Sequence, residues 1–300
     1  MAGPPGRHVS IGFKTSPQGV DWPTLDETWA VAGDQAVFES GWLNDHLTDL
    51  DDARPGPSFE ALTLLGTLVH RVPGKWVGHG VLSNTFRHPA ILAKAATVLD
   101  NATGGRFMLG LGAGWFEGEH EPFGIALPPI GERIDRLESA VGVLQALFSE
   151  AAFAPPGVTR PDPFYPLAGA TNRPAPIRPG GPPLILGGQK RRGLALAARA
   201  ADGWILPGLN EGDADYVADH RASLLRAMEE IGRDPTDFAF IGQVHVRDVS
   251  DLGPRAVASA LALVRAGATH VIFGMPASGG PRLLERVARE AAEPLREALG

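Results

Sequence analysis

Three short stretches of this sequence carry side chains that could do chemistry. Asp45-His46 sets an acid beside an imidazole, next to Trp42 and Asn44. Imidazole titrates near neutral pH, so it can move a proton or position a polar ring, and a neighbouring carboxylate can orient it. A lone histidine serves equally as a hydrogen-bonded structural residue, and residue type alone leaves both uses open. The second stretch, Arg106 to Gly124, reads RFMLGLGAGWFEGEHEPFG. Apolar Phe107, Met108 and Leu109 lead into Gly110, Gly112 and Gly114, then into Trp115 and Phe116 and the acids Glu117, Glu119 and Glu121. Glycines let a backbone come close and aromatic rings offer a stacking surface, which is what the wall of a pocket for a flat ligand requires. The acids also fit a solvated face. The third stretch, Gly187-Gly188-Gln189-Lys190, follows an apolar run and precedes a helical pattern with Arg191 and Arg192 at its start. Free amides and the positive end of a helix dipole suit a phosphate, and a plain turn is the alternative.

Several familiar chemistries are absent. Gly110-x-Gly112-x-Gly114 departs from the dinucleotide fingerprint G-x-G-x-x-G, which opens a helix directly, because no helical pattern begins here before Gly131-Glu132. No His-Glu-x-x-His, phosphate-binding P-loop or Gly-x-Ser-x-Gly elbow occurs, and nothing supports a metal site. His79, between Gly78 and Gly80, reads as a core histidine, and His88-Pro89 as a helix start. The chain has no cysteine, which excludes disulfides, thiolate metal sites and cysteine nucleophiles.

The elements that must position these residues alternate along the chain. Strand-like runs occur at Ser10–Lys14, Gly41–Asn44, Lys75–Leu82, Phe107–Leu111, Leu184–Leu186, Trp204–Leu206, Phe238–Val246 and His270–Phe273. Helical patterns follow each: from Thr24, in a capping-box pattern, to about Glu39; Phe59–Val69; Pro89–Leu99; a stripe from Ile134 to Leu147; Arg191–Ala201; Asp213–Ile231; Arg255–Arg265; and Leu283–Ala292. The Pro-rich segment from Ala151 to Gly181 breaks the rhythm and reads as an irregular insertion or lid loop after the fourth helix. Eight strand–helix units point to a single (β/α)8 TIM barrel spanning residues 1–300. Such barrels keep their chemistry at the carboxyl ends of the strands. That rule gathers Asp45-His46, Leu82 to Thr85, Gly112 to Glu121, Gly187 to Lys190 and Pro207 to Asn210 around one mouth.

Bulk properties agree with a soluble enzyme. Of 300 residues 44% are hydrophobic, enough for a large core, and the net charge of -7 argues against a nucleic-acid binder. No run approaches the length of a membrane span and MAGPPGRHVS has no apolar leader core, so a cytoplasmic protein acting on a small organic substrate is expected.

Five collinear blocks carry a wider likeness: GWLNDHLTDL from Gly41, GVLSNTFRHPAILAKAATVLD from Gly80, GGRFMLGLGAGWFEGEHEPFG from Gly104, GERIDRLESAVGVLQALF from Gly131 and PPLILGGQKRRGLALAARAADGWIL from Pro182. Through them the chain resembles the luciferase-like monooxygenase superfamily, especially its coenzyme F420 (deazaflavin)-dependent oxidoreductases. The resemblance implies a (β/α)8 barrel, usually a homodimer, with a flavin or deazaflavin lying flat across the strand ends. Asp45 and His46 match its strand-two pair, implying that His46 does acid–base or ring-positioning work with Asp45 orienting it. Gly80 and Val81 match a bulge behind the ring that often holds a cis peptide, and Ser83 and Asn84 would line the same site. Gly187 and Gly188, with Gln189 beside them, match the phosphate-contacting turn. Trp115 and Phe116 would shape the substrate pocket. In the family's sugar-phosphate and alcohol dehydrogenases a glutamate stands where this chain has Trp115 and a tryptophan where it has Leu50, departures that disfavour their substrates and suggest a more apolar pocket. The implied function is F420-dependent hydride transfer. The alternatives are an FMN-dependent two-component monooxygenase using reduced flavin and O2, and a non-catalytic flavin-binding barrel.

Overall fold

Strands covered on both faces have no solvated side, and their sequences run continuously apolar instead of alternating. The eight core strands of this protein are of that kind. In the computed structural model, which describes residues 8–50, 56–205 and 213–300, they are β1 (Ser10–Thr15), β2 (Ser40–Leu43), β3 (Trp76–His79), β4 (Phe107–Gly112), β5 (Leu184–Gly187), β6 (Gly203–Ile205), β7 (Ala239–His245) and β8 (His270–Met275). All pair in parallel, and β8 returns to β1, so the sheet closes into the expected (β/α)8 barrel. The outer helices are α1 (Trp22–Asp34), α2 (Ala61–Leu68), α3 (Pro89–Ala102), α4 (Ile130–Leu147), α5 (Arg191–Ala200), α6 (Ala214–Glu230), α7 (Pro254–Arg265) and α8 (Gly280–Val287). The stretch expected at Leu206 and at Pro207 to Asn210 lies outside the described residues.

Two cores result. Between strands and helices lie residues such as Phe13, Trp29, Leu43, Phe107 and Phe273. Inside the barrel, Trp42, Met108, Ile185, Ile205, Ile241 and Ile272 pack together with Val81 against them. Helix α1 corrects the capping-box expectation. Asp21, not Thr24, is the N-cap, its carboxylate accepting the Thr24 amide at 2.9 Å, and the helix stops at Asp34.

The junction of β3 and β4 shapes the mouth. Gly78 pairs with Met108, but the next pairing is Leu82 with Leu111, so His79, Gly80 and Val81 stand opposite Leu109 and Gly110 alone. This is a β-bulge, and its Gly80–Val81 peptide is cis. Gly110 makes the bulge possible, because a Cβ there would lie 1.7 Å from the His79 carbonyl oxygen. Gly112 and Gly187 in turn leave room for Val81, whose methyl groups would stand 2.8 and 3.4 Å from a Cβ at those positions. Gly110 and Gly112, which read as part of a ligand wall, therefore accommodate the bulge, whose Val81 caps the barrel interior. Gly110→Ala is expected to cost about 1–3 kcal/mol of stability by overpacking the bulge. A thermal melt of this variant matching the wild type would show that the bulge shifts freely.

The segment from Ala151 to Gly181 is not a lid. It contains an antiparallel hairpin, Val158–Arg160 with Leu167–Ala170, and runs along the outside of α3 and α4. Asp100 of α3 accepts the Ile177 amide at 2.6 Å, Asn172 donates to Thr97 at 3.0 Å, and Ser139 of α4 donates to Asp162. These local polar anchors hold a segment whose sequence has no period. Its Arg178–Gly181 end lines a cavity of about 670 Å³ with Trp76 and Ala239 at the amino-terminal ends of the strands, opposite the expected site.

Candidate active site

At the carboxyl-terminal mouth, the chain leaving β2 and the loop leaving β4 meet. Sequence periodicity gave no helix before Gly131, yet Glu117–His120 forms one helical turn. That turn carries Glu119 to His46: the imidazole Nδ1 lies 3.0 and 3.2 Å from the two carboxylate oxygens, and the Leu47 amide donates to the same group at 2.8 Å. Both His46 and Glu119 are buried, whereas Glu117 and Glu121 face solvent. A carboxylate only accepts, so Nδ1 bears the hydrogen of this contact and Nε2 is the ring nitrogen left for another partner. An imidazole held by a carboxylate in this way is an arrangement that can move a proton at a substrate atom.

Asp45, expected to orient His46, does something else. Its fully buried carboxylate receives Arg87 in bidentate fashion, at 2.6 and 2.8 Å, and accepts the Ser83 amide at 2.8 Å. Arg87 also reaches Glu60 at 3.0 Å. Burial alone works against the Arg87 charge, but Asp45 and Glu60 more than offset it and hold the guanidinium above its ordinary range. Adjacent residues at a strand end point different ways, so Asp45 and His46 serve different partners.

The expected aromatic residues frame the imidazole. Trp115 meets His46 edge-on with centroids 5.8 Å apart, and Phe116 does so at 6.3 Å. Trp115 is 58% exposed, an unusual position for a tryptophan and one that a bound molecule would cover. Val81 forms the floor, Ser83 stands above it, and buried Asn84 donates its backbone amide to Gly112 at 2.9 Å. The side-chain oxygens of Asn44 and Asn84 are buried without a hydrogen-bond partner among the described residues. Buried polar atoms are normally satisfied, so these two suit a ligand that brings donors.

Sequence reasoning missed a cation here. Lys14 pairs in register with inward-facing Trp42, is buried, and donates to Gln243 of β7. Desolvation lowers its ammonium to about 8. Opposite, Gly187 ends β5 and Gly188, at φ +133°, turns the chain toward α5. The Gly188 carbonyl accepts Trp204 Nε1 at 2.8 Å. Arg192 is engaged by Asp135 at 2.6 Å and Glu138 at 3.3 Å, so an anion at this turn would meet backbone amides, not that guanidinium. His79 is the expected core histidine: it is buried, with Nε2 3.1 Å from the Ala61 carbonyl, and burial pushes it down to about 4.

Comparison with known proteins finds relatives along nearly the whole chain. A family model described as luciferase-like monooxygenase matches residues 15–293. The F420-dependent glucose-6-phosphate dehydrogenase of Beutenbergia cavernae is 28% identical, over 96% of this chain and 98% of that protein. Among solved structures, an F420-dependent secondary alcohol dehydrogenase in complex with an F420-acetone adduct superposes with a TM-score of 0.79 at 17% identity, covering 94% of this chain and 98% of that one. A long-chain alkane monooxygenase gives 0.73 at 13% identity, covering 98% and 92%.

Proposed function

The chain belongs to the luciferase-like monooxygenase family, and from that premise we propose that it is a coenzyme F420-dependent oxidoreductase acting on a small organic substrate. The observation that carries this reading is the buried His46–Glu119 pair standing between Trp115 and Phe116 at the mouth. The residues present fit a flat polar ring. Val81 offers an apolar floor, and Asn44 and Asn84 offer unsatisfied acceptors. Gly80, Val81, Ser83 and Asn84 would hold the ring, and the Gly187-Gly188-Gln189 turn its phosphate. When bound, the deazaflavin supplies the hydride chemistry. The protein's part is acid–base: His46 Nε2 takes a proton from a substrate hydroxyl, or returns one to a carbonyl, and Glu119 stabilises the imidazolium. Trp115, Phe116 and exposed Leu50 favour an apolar substrate over a sugar phosphate.

A second reading, an FMN-dependent two-component monooxygenase, draws on the fold shared with the long-chain alkane monooxygenase. Titration with F420 and with FMN, followed by fluorescence, separates the two. F420 binding with no O2 uptake in the presence of reduced FMN is the expected result, and the converse would replace the first reading with the second.

Among the described residues no helix is long and apolar enough to cross a membrane. We propose, as a separate reading, that the protein works in the cytoplasm as a homodimer. Ile91 and Val98, 66% and 65% exposed on one face of α3, supply the apolar surface a partner would cover. Ile91→Asp is expected to convert dimer to monomer in light scattering. A wild type that runs as a monomer at all concentrations would refute the assignment.

A further inference from the structure

Ser83, Thr85 and His120 form a row of hydrogen bonds at the mouth, separate from the His46–Glu119 pair. Ser83 Oγ lies 2.6 Å from Thr85 Oγ1, Thr85 Oγ1 lies 2.8 Å from His120 Nε2, and His120 Nδ1 lies 2.7 Å from the Phe116 carbonyl oxygen. The direction of this row follows from counting hydrogens. A carbonyl only accepts, so Nδ1 carries the imidazole hydrogen. His120 is 2% exposed, and its neighbouring acid, Glu119, is engaged by His46. An ion buried there would lack the pairing that buried charges need, which favours the neutral ring. A neutral ring protonated at Nδ1 has a bare Nε2, which must accept from the Thr85 hydroxyl. Thr85 has one hydrogen and has spent it, so it accepts from Ser83. Ser83 has then spent its own hydrogen and presents only lone pairs.

The side chain that carries them is turned toward the site. Leu82 packs in the outer core, and strand alternation therefore turns Val81 and Ser83 toward the barrel axis. The Ser83 amide is held by Asp45 at 2.8 Å. Gly114 leaves room for the hydroxyl, since a Cβ there would lie 2.7 Å from Ser83 Oγ.

We propose that His120 and Thr85 are positioning residues that hold Ser83 Oγ as an obligate hydrogen-bond acceptor, so that the site takes a ligand presenting an N–H or O–H donor there. The choice of probe rests on the proposed function, because flavin and deazaflavin rings both carry an imide N–H. Two measurements test the proposal. In ligand-free protein with isotope-labelled histidine, the His120 signal, identified by its loss in His120→Gln, should report a hydrogen on Nδ1 and a bare Nε2. A hydrogen on Nε2 would overturn the proposal. In F420 titrations, Ser83→Ala should weaken binding about tenfold, and Thr85→Val, which preserves shape, should weaken it by a smaller factor. The double variant should bind no more weakly than Ser83→Ala, because Thr85 acts only through Ser83. Penalties that multiply, with melting temperatures unchanged, would mean that Thr85 acts independently. Should neither F420 nor FMN bind the wild type, the functional reading falls, and the tautomer in the ligand-free protein still decides the direction of the row.

Discussion

Replacing His46 by alanine is expected to lower turnover by about a hundred- to ten-thousand-fold, the usual contribution of a positioned acid–base group. Coenzyme affinity should change far less, because the floor at Val81 and the turn at Gly187-Gly188 are untouched. The imidazole stands at the one point where an orienting acid, two aromatic edges and the strand ends converge. On the proposed function its loss removes the proton carrier, while Glu119 stays anchored by the Leu47 amide. Glu119→Gln should act in the same direction and more weakly, since an amide can still hold the ring but no longer neutralises its charge. Single-turnover hydride transfer followed through the coenzyme absorbance separates this effect from binding. Unchanged turnover in His46→Ala would mean that another residue carries the chemistry or that the barrel is a binding protein only.

Replacing Arg87 by methionine is expected to cost about 3–5 kcal/mol of folding stability, the penalty for leaving one member of a buried ion pair alone. Asp45 is fully buried at its side chain, and among the described residues it keeps only the Ser83 amide without the guanidinium. Urea unfolding measures the loss. The double variant Arg87→Met with Asp45→Asn should recover much of it, because a neutral amide tolerates burial better than a lone carboxylate. Glu60 gives a second readout. Burial alone would raise its carboxyl, yet the bonds from Arg87 and Thr63 hold it at about 2, and without Arg87 it should move back toward its ordinary 4.5. This depressed value contributes stability above the ordinary carboxylate pKa, and the contribution fades as pH falls toward 2. A loss below about 1 kcal/mol for Arg87→Met would show that water replaces the guanidinium at little cost.

How far the site can be read from sequence differs from residue to residue. Asp45, His46, Trp115 and Phe116 are legible because each lies next to a strand end, and the barrel topology carries strand ends to one mouth. Glu119 is not. Its contact with His46 joins residues 73 apart, and the helical turn that delivers it spans four residues, too few for a periodic signal. Glu117, Glu119 and Glu121 look alike in sequence, and only the path of the loop buries one of them. The insertion from Ala151 to Gly181 is recognisable by its lost rhythm, but its course along α3 and α4 depends on polar anchors such as Asp100 and Asn172. Lys14 hides inside an ordinary strand, and its inward face follows from register with Trp42.

By itself the sequence determined the barrel, the order of its units and the identity of the mouth, because burial on both faces of a strand and on one face of a helix leaves a repeating local pattern. Tertiary structure alone decided which acid serves His46, which cation neutralises Asp45, and that Gly110 makes way for the His79 carbonyl and Gly112 and Gly187 for Val81. Those choices depend on distances between elements remote in sequence, and hydrogen bonds and close packing are sensitive to fractions of an ångström that no local pattern records.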